Sequence, residues 1–130
     1  MTTQTEALAA IPVADLTTEQ LGVIVAEMMG WHRGTMTQTQ DCWVTDADGP
    51  GEYVHHLFHK WTPATDANLA LAALEAWRGL ESEAHNWNVF QGEGLCRVTL
   101  REINGEATRG HASTLPLAAC RALVAAGRET

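Results

Sequence analysis

Positive charge is scarce in this chain. Only 8 of its 130 residues are Lys or Arg, against 16 Asp or Glu, and the formal net charge is −8. Lys60 is the sole lysine, and the arginines are scattered without forming a stripe. Nucleic-acid binders neutralise phosphates with clustered Lys and Arg. A chain of this charge repels DNA at long range, so no nucleic-acid partner is expected. Cysteine is scarce as well. Cys42, Cys96 and Cys120 are odd in number and widely spaced, with no Cys-x-x-Cys. That argues against a disulfide framework and favours buried free thiols. No apolar run approaches the roughly 20 residues that span a bilayer, so no membrane association is expected. Met1 to Glu6 carries no basic region ahead of an apolar stretch, so a secretory leader is not expected and the location is read as cytoplasmic. No Gly-x-Gly-x-x-Gly or Walker loop occurs. Gln91-Gly92-Glu93-Gly94 lacks both the lysine and the strand-to-helix context of a phosphate cradle.

What is present is punctuation. Residues 1–15 are rich in Thr and Ala without a period and read as a flexible lead-in, followed by one domain over 16–130. Thr17 or Thr18 caps a first helix, with Gln20 near the capping-box position. Leu21, Ile24, Val25 and Met28 give that helix one apolar face, and Gly30 suits its left-handed end. His32 to Gln40 alternates threonines and reads as an edge strand or a loop. Cys42-Trp43-Val44 and Tyr53 to Phe58 read as strands around an Asp46 to Gly51 turn. That turn lacks the twelfth-position carboxylate of a calcium loop, a place held by Leu57.

Pro63 and Thr65 or Asp66 open a second helix, to about Leu80, with Leu71, Leu74 and Trp77 joined by Ala67 and Ala70 as its inner stripe. Trp87 to Phe90 is strand-like. Leu95 to Ile103 alternates, with Cys96, Val98 and Leu100 facing one way and Arg97, Thr99 and Arg101 the other. Asn104-Gly105 is a hairpin turn that returns Glu106 to Ala112 antiparallel. Pro116 opens a third helix whose inner face is Leu117, Cys120, Leu123 and Val124, and Gly127 ends it. Amphipathic helices interspersed with antiparallel strands define an α+β fold, a mostly antiparallel sheet of about four strands with three helices packed on it.

Three segments together resemble a small phage-encoded domain, the phage ABA-sandwich family. They are Met29-Gly30-Trp31 closing the first helix, Pro63-Ala64-Thr65-Asp66 opening the second, and Leu115-Pro116-Leu117-Ala118-Ala119-Cys120 opening the third. Ala64 stands where the family has Ser, and Leu115 where it has Ala. The likeness runs over residues 17–127 and excludes the lead-in and the polar segment from His32 to Gln40. It implies an α/β/α sandwich and a phage or prophage accessory role in a bacterial host cell. It implies no catalytic residues.

Candidate chemistry lies in two places. His55, His56 and His59 are the densest group of possible metal ligands. On a regular strand, however, His55 and His56 point to opposite faces. His55 and His59 share a face but sit about 13 Å apart. Half-exposed histidines are therefore favoured over a metal site, and no metal or other cofactor is expected. A Cys–His nucleophile would require Cys42 or Cys96 beside a histidine, and no local signature marks one.

The second place is the final hairpin. Arg97 and Arg101 share one strand face, and Arg109 and His111 lie on the returning strand, so this face can hold an anion such as a nucleotide phosphate. The competing reading is a solvated face paired with Glu102 or Glu106. The functional expectation is a non-enzymatic accessory protein that binds a small anionic ligand or a host protein, acting against host defence. A more specific form is an oligomeric sponge for a nucleotide-derived immune signal. The alternative is a small hydrolase using a histidine-held metal.

Overall fold

A computed structural model describes residues 4–37, 40–46, 52–57, 60–80, 85–102 and 107–128. The chain runs α1 (Gln4–Ala7), a 3-10 turn (Val13–Asp15), α2 (Thr18–Met28), β1 (His32–Thr37), β2 (Gln40–Asp46), β3 (Glu52–Leu57), α3 (Ala67–Leu80), β4 (His85–Gly92), β5 (Leu95–Glu102), β6 (Thr108–Ala112) and α4 (Leu115–Arg128). This is the expected α+β class with antiparallel sheets. The strand count differs from the four expected: the described strands form two three-stranded sheets, β1-β2-β3 and β4-β5-β6.

The helix ends follow from local chemistry. Thr17 Oγ1 accepts from the Gln20 N–H at 3.1 Å, and Gln20 Oε1 accepts from the Thr17 N–H at 2.9 Å, closing a capping box on α2. At the other end Gly30 takes φ +82. There the Gly30 N–H reaches Glu27 O at 3.0 Å and the Trp31 N–H reaches Ala26 O at 3.1 Å, the pair of bonds of a Schellman motif. Asp66 caps α3, its Oδ1 accepting from the Asn68 and Leu69 N–H groups at 2.9 and 3.2 Å.

Helix α4 is the hub. Its Ala118, Ala119, Cys120, Ala122, Leu123, Val124 and Ala126 are all buried, so its apolar surface extends well beyond one stripe. Small side chains let it lie close to β5 and β6 on one side while α2 and α3 pack on others. The closest approach is at Gly110 of β6, where a methyl group would overlap the backbone of Ala118 and Ala122. Gly127 lies within α4, not beyond its end, and a Cβ there would meet Met28 Cε at 2.9 Å.

Helix α3 buries Ala70, Ala73, Leu74 and Trp77. Leu71, assigned to the inner stripe from spacing, is 36% exposed. Ala67, assigned to the same stripe, is exposed as well, and Ala73, a small residue that carries little hydrophobic weight in a sequence count, is buried in their stead.

The lead-in is tied down. Thr5 donates its N–H and its hydroxyl to Glu27 Oε1 at 2.7 and 2.8 Å. Arg128 donates to Ile11 O at 2.6 Å and to Leu8 O at 2.9 Å. Among the described residues no helix is long and apolar enough to cross a membrane.

Candidate functional site

The register of the second sheet decides what its outer face displays. The two-residue turn Glu93-Gly94, with Gly94 at φ +68, joins β4 to β5 and sets Phe90 opposite Arg97, Asn88 opposite Thr99 and Asn86 opposite Arg101. On the other side β6 sets His111 opposite Arg97 and Arg109 opposite Thr99. Cys96, Val98 and Leu100 point inward and are buried, as are Thr108, Gly110 and Ala112 of β6. By alternation Arg97, Arg101, Arg109 and His111 occupy the outer face together. The sequence placed these four on one face, and the pairing brings them around a common centre at Thr99. That threonine is only 4% exposed although it lies on the outer face, as expected where long neighbouring side chains close over a small one.

The electrostatics of this face are unusual for a chain of charge −8. Arg97, Arg101 and Arg109 form no ion pair among the described residues. An ion pair lies elsewhere, at Arg78–Glu75 on α3, and Glu102 faces the His85 imidazole at 4.0 Å at the far end of the β4–β5 ladder. The Arg97 guanidinium rests over the Phe90 ring, 5.0 Å from its centroid. Its Nε is buried and makes no hydrogen bond. Phe90 is 53% exposed and Leu95, on the same face, 45%. Phe90 was not singled out from sequence. The signal was available in the Glu93-Gly94 turn, whose two-residue length fixes which β4 side chain stands beside Arg97.

The histidines are arranged differently from the strand expectation. Trp43 pairs with His56, yet Val44 pairs with Val54, so His55 is an extra residue in β3. Such a bulge sets two residues of one strand against one of its partner and breaks alternation. Both imidazoles consequently lie against one indole. His55 stacks on Trp31 at 4.6 Å and 7°, and His56 is tilted against the same ring at 5.6 Å. The prediction that they point to opposite faces is therefore corrected. Trp61 completes the cluster, 4.8 Å from Trp31 and 5.0 Å from His56.

Desolvation, and next the neighbouring His55, hold the His56 pKa below the usual imidazole value of 6.5. His55 Nε2 is engaged with Thr45 Oγ1 at 2.9 Å. His59 lies outside the described residues, and among those described no three His, Cys, Asp or Glu side chains are grouped to hold a metal. The three thiols are buried, and burial pushes Cys120 up to about 12. Cys42 is fully buried, its Sγ 3.6 Å from Gly34 O.

His85 has a structural task. Its ring stacks on Trp77 at 4.1 Å and 5°, and its Nδ1 donates to Trp77 O at 3.1 Å, fastening β4 to α3.

Protein-family models, curated proteins and solved structures all return no match to this chain. What the chain does must be argued from the geometry above.

Proposed function

We propose that this is a non-catalytic binding protein that captures a small phosphorylated ligand on the outer face of β4-β5-β6. The observation that carries the reading is the set of three arginines on one sheet face, none with a carboxylate partner among the described residues and one of them holding a buried N–H that lacks an acceptor there; Glu106, the competing partner expected from sequence, lies outside the described residues. Guanidinium is the side chain suited to planar, two-point recognition of phosphate. Arg97 and Arg101 leave the strand about 13 Å apart, with Arg109 between them on β6. That span suits a ligand with more than one phosphate better than a single phosphate ion. Phe90 beside Arg97 offers an aromatic edge to a nucleobase. A nucleotide-derived signal fits these features, and sequestering one is the role this reading assigns within a phage or prophage setting, where binding alone would blunt a host defence.

A second reading uses the same face differently. The exposure of Phe90 and Leu95 beside the arginines also suits an acidic protein surface.

Calorimetric titration with inorganic pyrophosphate and with a cyclic dinucleotide tests the proposal. Saturable binding of either probe should weaken by about tenfold to a hundredfold in Arg97→Ala and in Arg101→Ala. Binding of neither probe, or unaltered affinity in both variants, would remove small anions from consideration and leave the acidic-protein reading.

A further inference from the structure

A separate cavity of about 310 Å³ opens between α2 and the segment that leads into α3. Its size falls at the small end of ligand pockets, which run from about 300 to 1,000 Å³. Trp43 and Trp61 line it, with Thr18, Glu19, Thr62 and Thr65 at the exposed rim. The walls are fixed by contacts unrelated to any ligand. The Trp61 Nε1–H donates to Gly22 O at 2.8 Å in a buried bond. Gly22 itself admits the crossing segment, since a Cβ there would sit 3.3 Å from Pro63 Cδ and 3.6 Å from Trp61 O. Trp31 packs edge-on against Trp61 at 4.8 Å.

The lining chemistry specifies a sign of charge. Among the described residues that line the cavity, Glu19 is the only ionisable one, and none is Lys, Arg or His. Thr18 and Glu19 belong to the first turn of α2, where the helix contributes roughly half a positive charge. A full carboxylate charge outweighs that half charge, and the capping box already engages the Thr17 and Gln20 backbone donors. An anion would meet the Glu19 carboxylate, which repels it. A small, strongly hydrated cation would lose water that indoles cannot replace. An alkylated ammonium group meets neither obstacle. It is weakly hydrated, tryptophan is the aromatic side chain that attracts it most, and its single charge finds the carboxylate.

We propose that this cavity is a binding site for a small organic cation bearing a quaternary or methylated ammonium group, with Trp43 and Trp61 as its aromatic walls and Glu19 as its counter-charge. The site is independent of the arginine face, and neither test depends on the other.

Choline and its neutral isostere 3,3-dimethylbutan-1-ol are the probes, followed by calorimetry and tryptophan fluorescence on the full chain. Choline should bind saturably at millimolar concentration or below, with the isostere at least about tenfold weaker. Glu19→Gln should weaken choline by about threefold to tenfold and leave the isostere unmoved, because the carboxylate is exposed and its attraction is partly screened. Val23→Phe, which fills the cavity from a half-buried position on α2, should abolish binding of both probes with little change in unfolding midpoint. Arg97→Ala should bind choline as the parent does. Equal affinity for the two probes, choline binding that survives Val23→Phe in a folded protein, or no saturable binding of choline would each overturn the proposal.

Discussion

Replacing Gly110 by alanine tests the central packing claim, that α4 lies against β6 closely enough to exclude a methyl group. The added Cβ would overlap Ala118 O, Ala122 N and Ala122 Cα, all of them backbone atoms. A side chain could rotate away from such a contact, but a helix backbone must translate. Because α4 also packs on α2, α3 and β5, shifting it disturbs the packing of Cys120, Leu123 and Val124 at the same time. Inserting one methylene-sized group into a well-packed core costs typically about 1–3 kcal/mol. The backbone obstruction places Gly110→Ala at or above the upper end of that range, or on the order of 10 °C in midpoint for a domain of this size. Gly79→Ala is the matched control. Gly79 lies in α3 with open space around its Cβ direction, so the same change there should stabilise by about 0.5–1 kcal/mol through helix propensity. Urea unfolding followed by circular dichroism measures both. A Gly110→Ala midpoint equal to that of the parent would refute the close approach, and with it the placement of α4 on the sheet.

Two further outcomes follow from the histidine cluster. His56 has its folded pKa depressed below 6.5, so the unfolded state takes up a proton more readily than the folded one. Its contribution to stability is therefore complete above pH 6.5 and is lost as pH falls through the lower folded value. Midpoints measured between pH 7.5 and 5 should show a decline that flattens in His56→Gln, and an unchanged slope in that variant would assign the decline to other groups. Chelation with EDTA should leave the unfolding midpoint where it is. A stoichiometric zinc ion that is lost in His55→Ala would reverse that reading and favour the hydrolase alternative.

Much of this architecture was legible because it is local. Thr17 with Gln20, Gly30, Asp66 and Pro116 mark helix ends through bonds that span a few residues, and α2, α3 and α4 begin and stop close to those marks. The arginine face was legible for a related reason: alternation along β5 fixes which side chains share a side, and an antiparallel return carries that side onto β6. What escaped depends on partners distant in sequence. The extra residue at His55 exists only in the pairing of β3 with β2, so nothing in Tyr53 to Leu57 alone announces it. Strand β1 has little apolar content of its own and is defined by pairing with β2. The burial of Ala73 in place of Leu71 on α3 is set by what packs on the helix, which a helical-period count cannot see. The cavity between α2 and Trp61 likewise depends on Gly22 meeting Pro63 across the fold.

The separateness of the two sheets carries a consequence for how the molecule opens. No described strand of β1-β2-β3 pairs with one of β4-β5-β6, and the first sheet reaches the common core chiefly through Trp43, with Trp31 and Trp61 alongside. Backbone bonds within β1-β2-β3 can therefore break together without disturbing the ladder beneath α4. Amide hydrogen exchange should then divide into two classes, with β2 amides such as those of Trp43 and Val44 exchanging through a partial opening, and those of Val98 and Leu100 only through global unfolding. In such a molecule the first sheet loosens as one unit while the ladder beneath α4 stays closed.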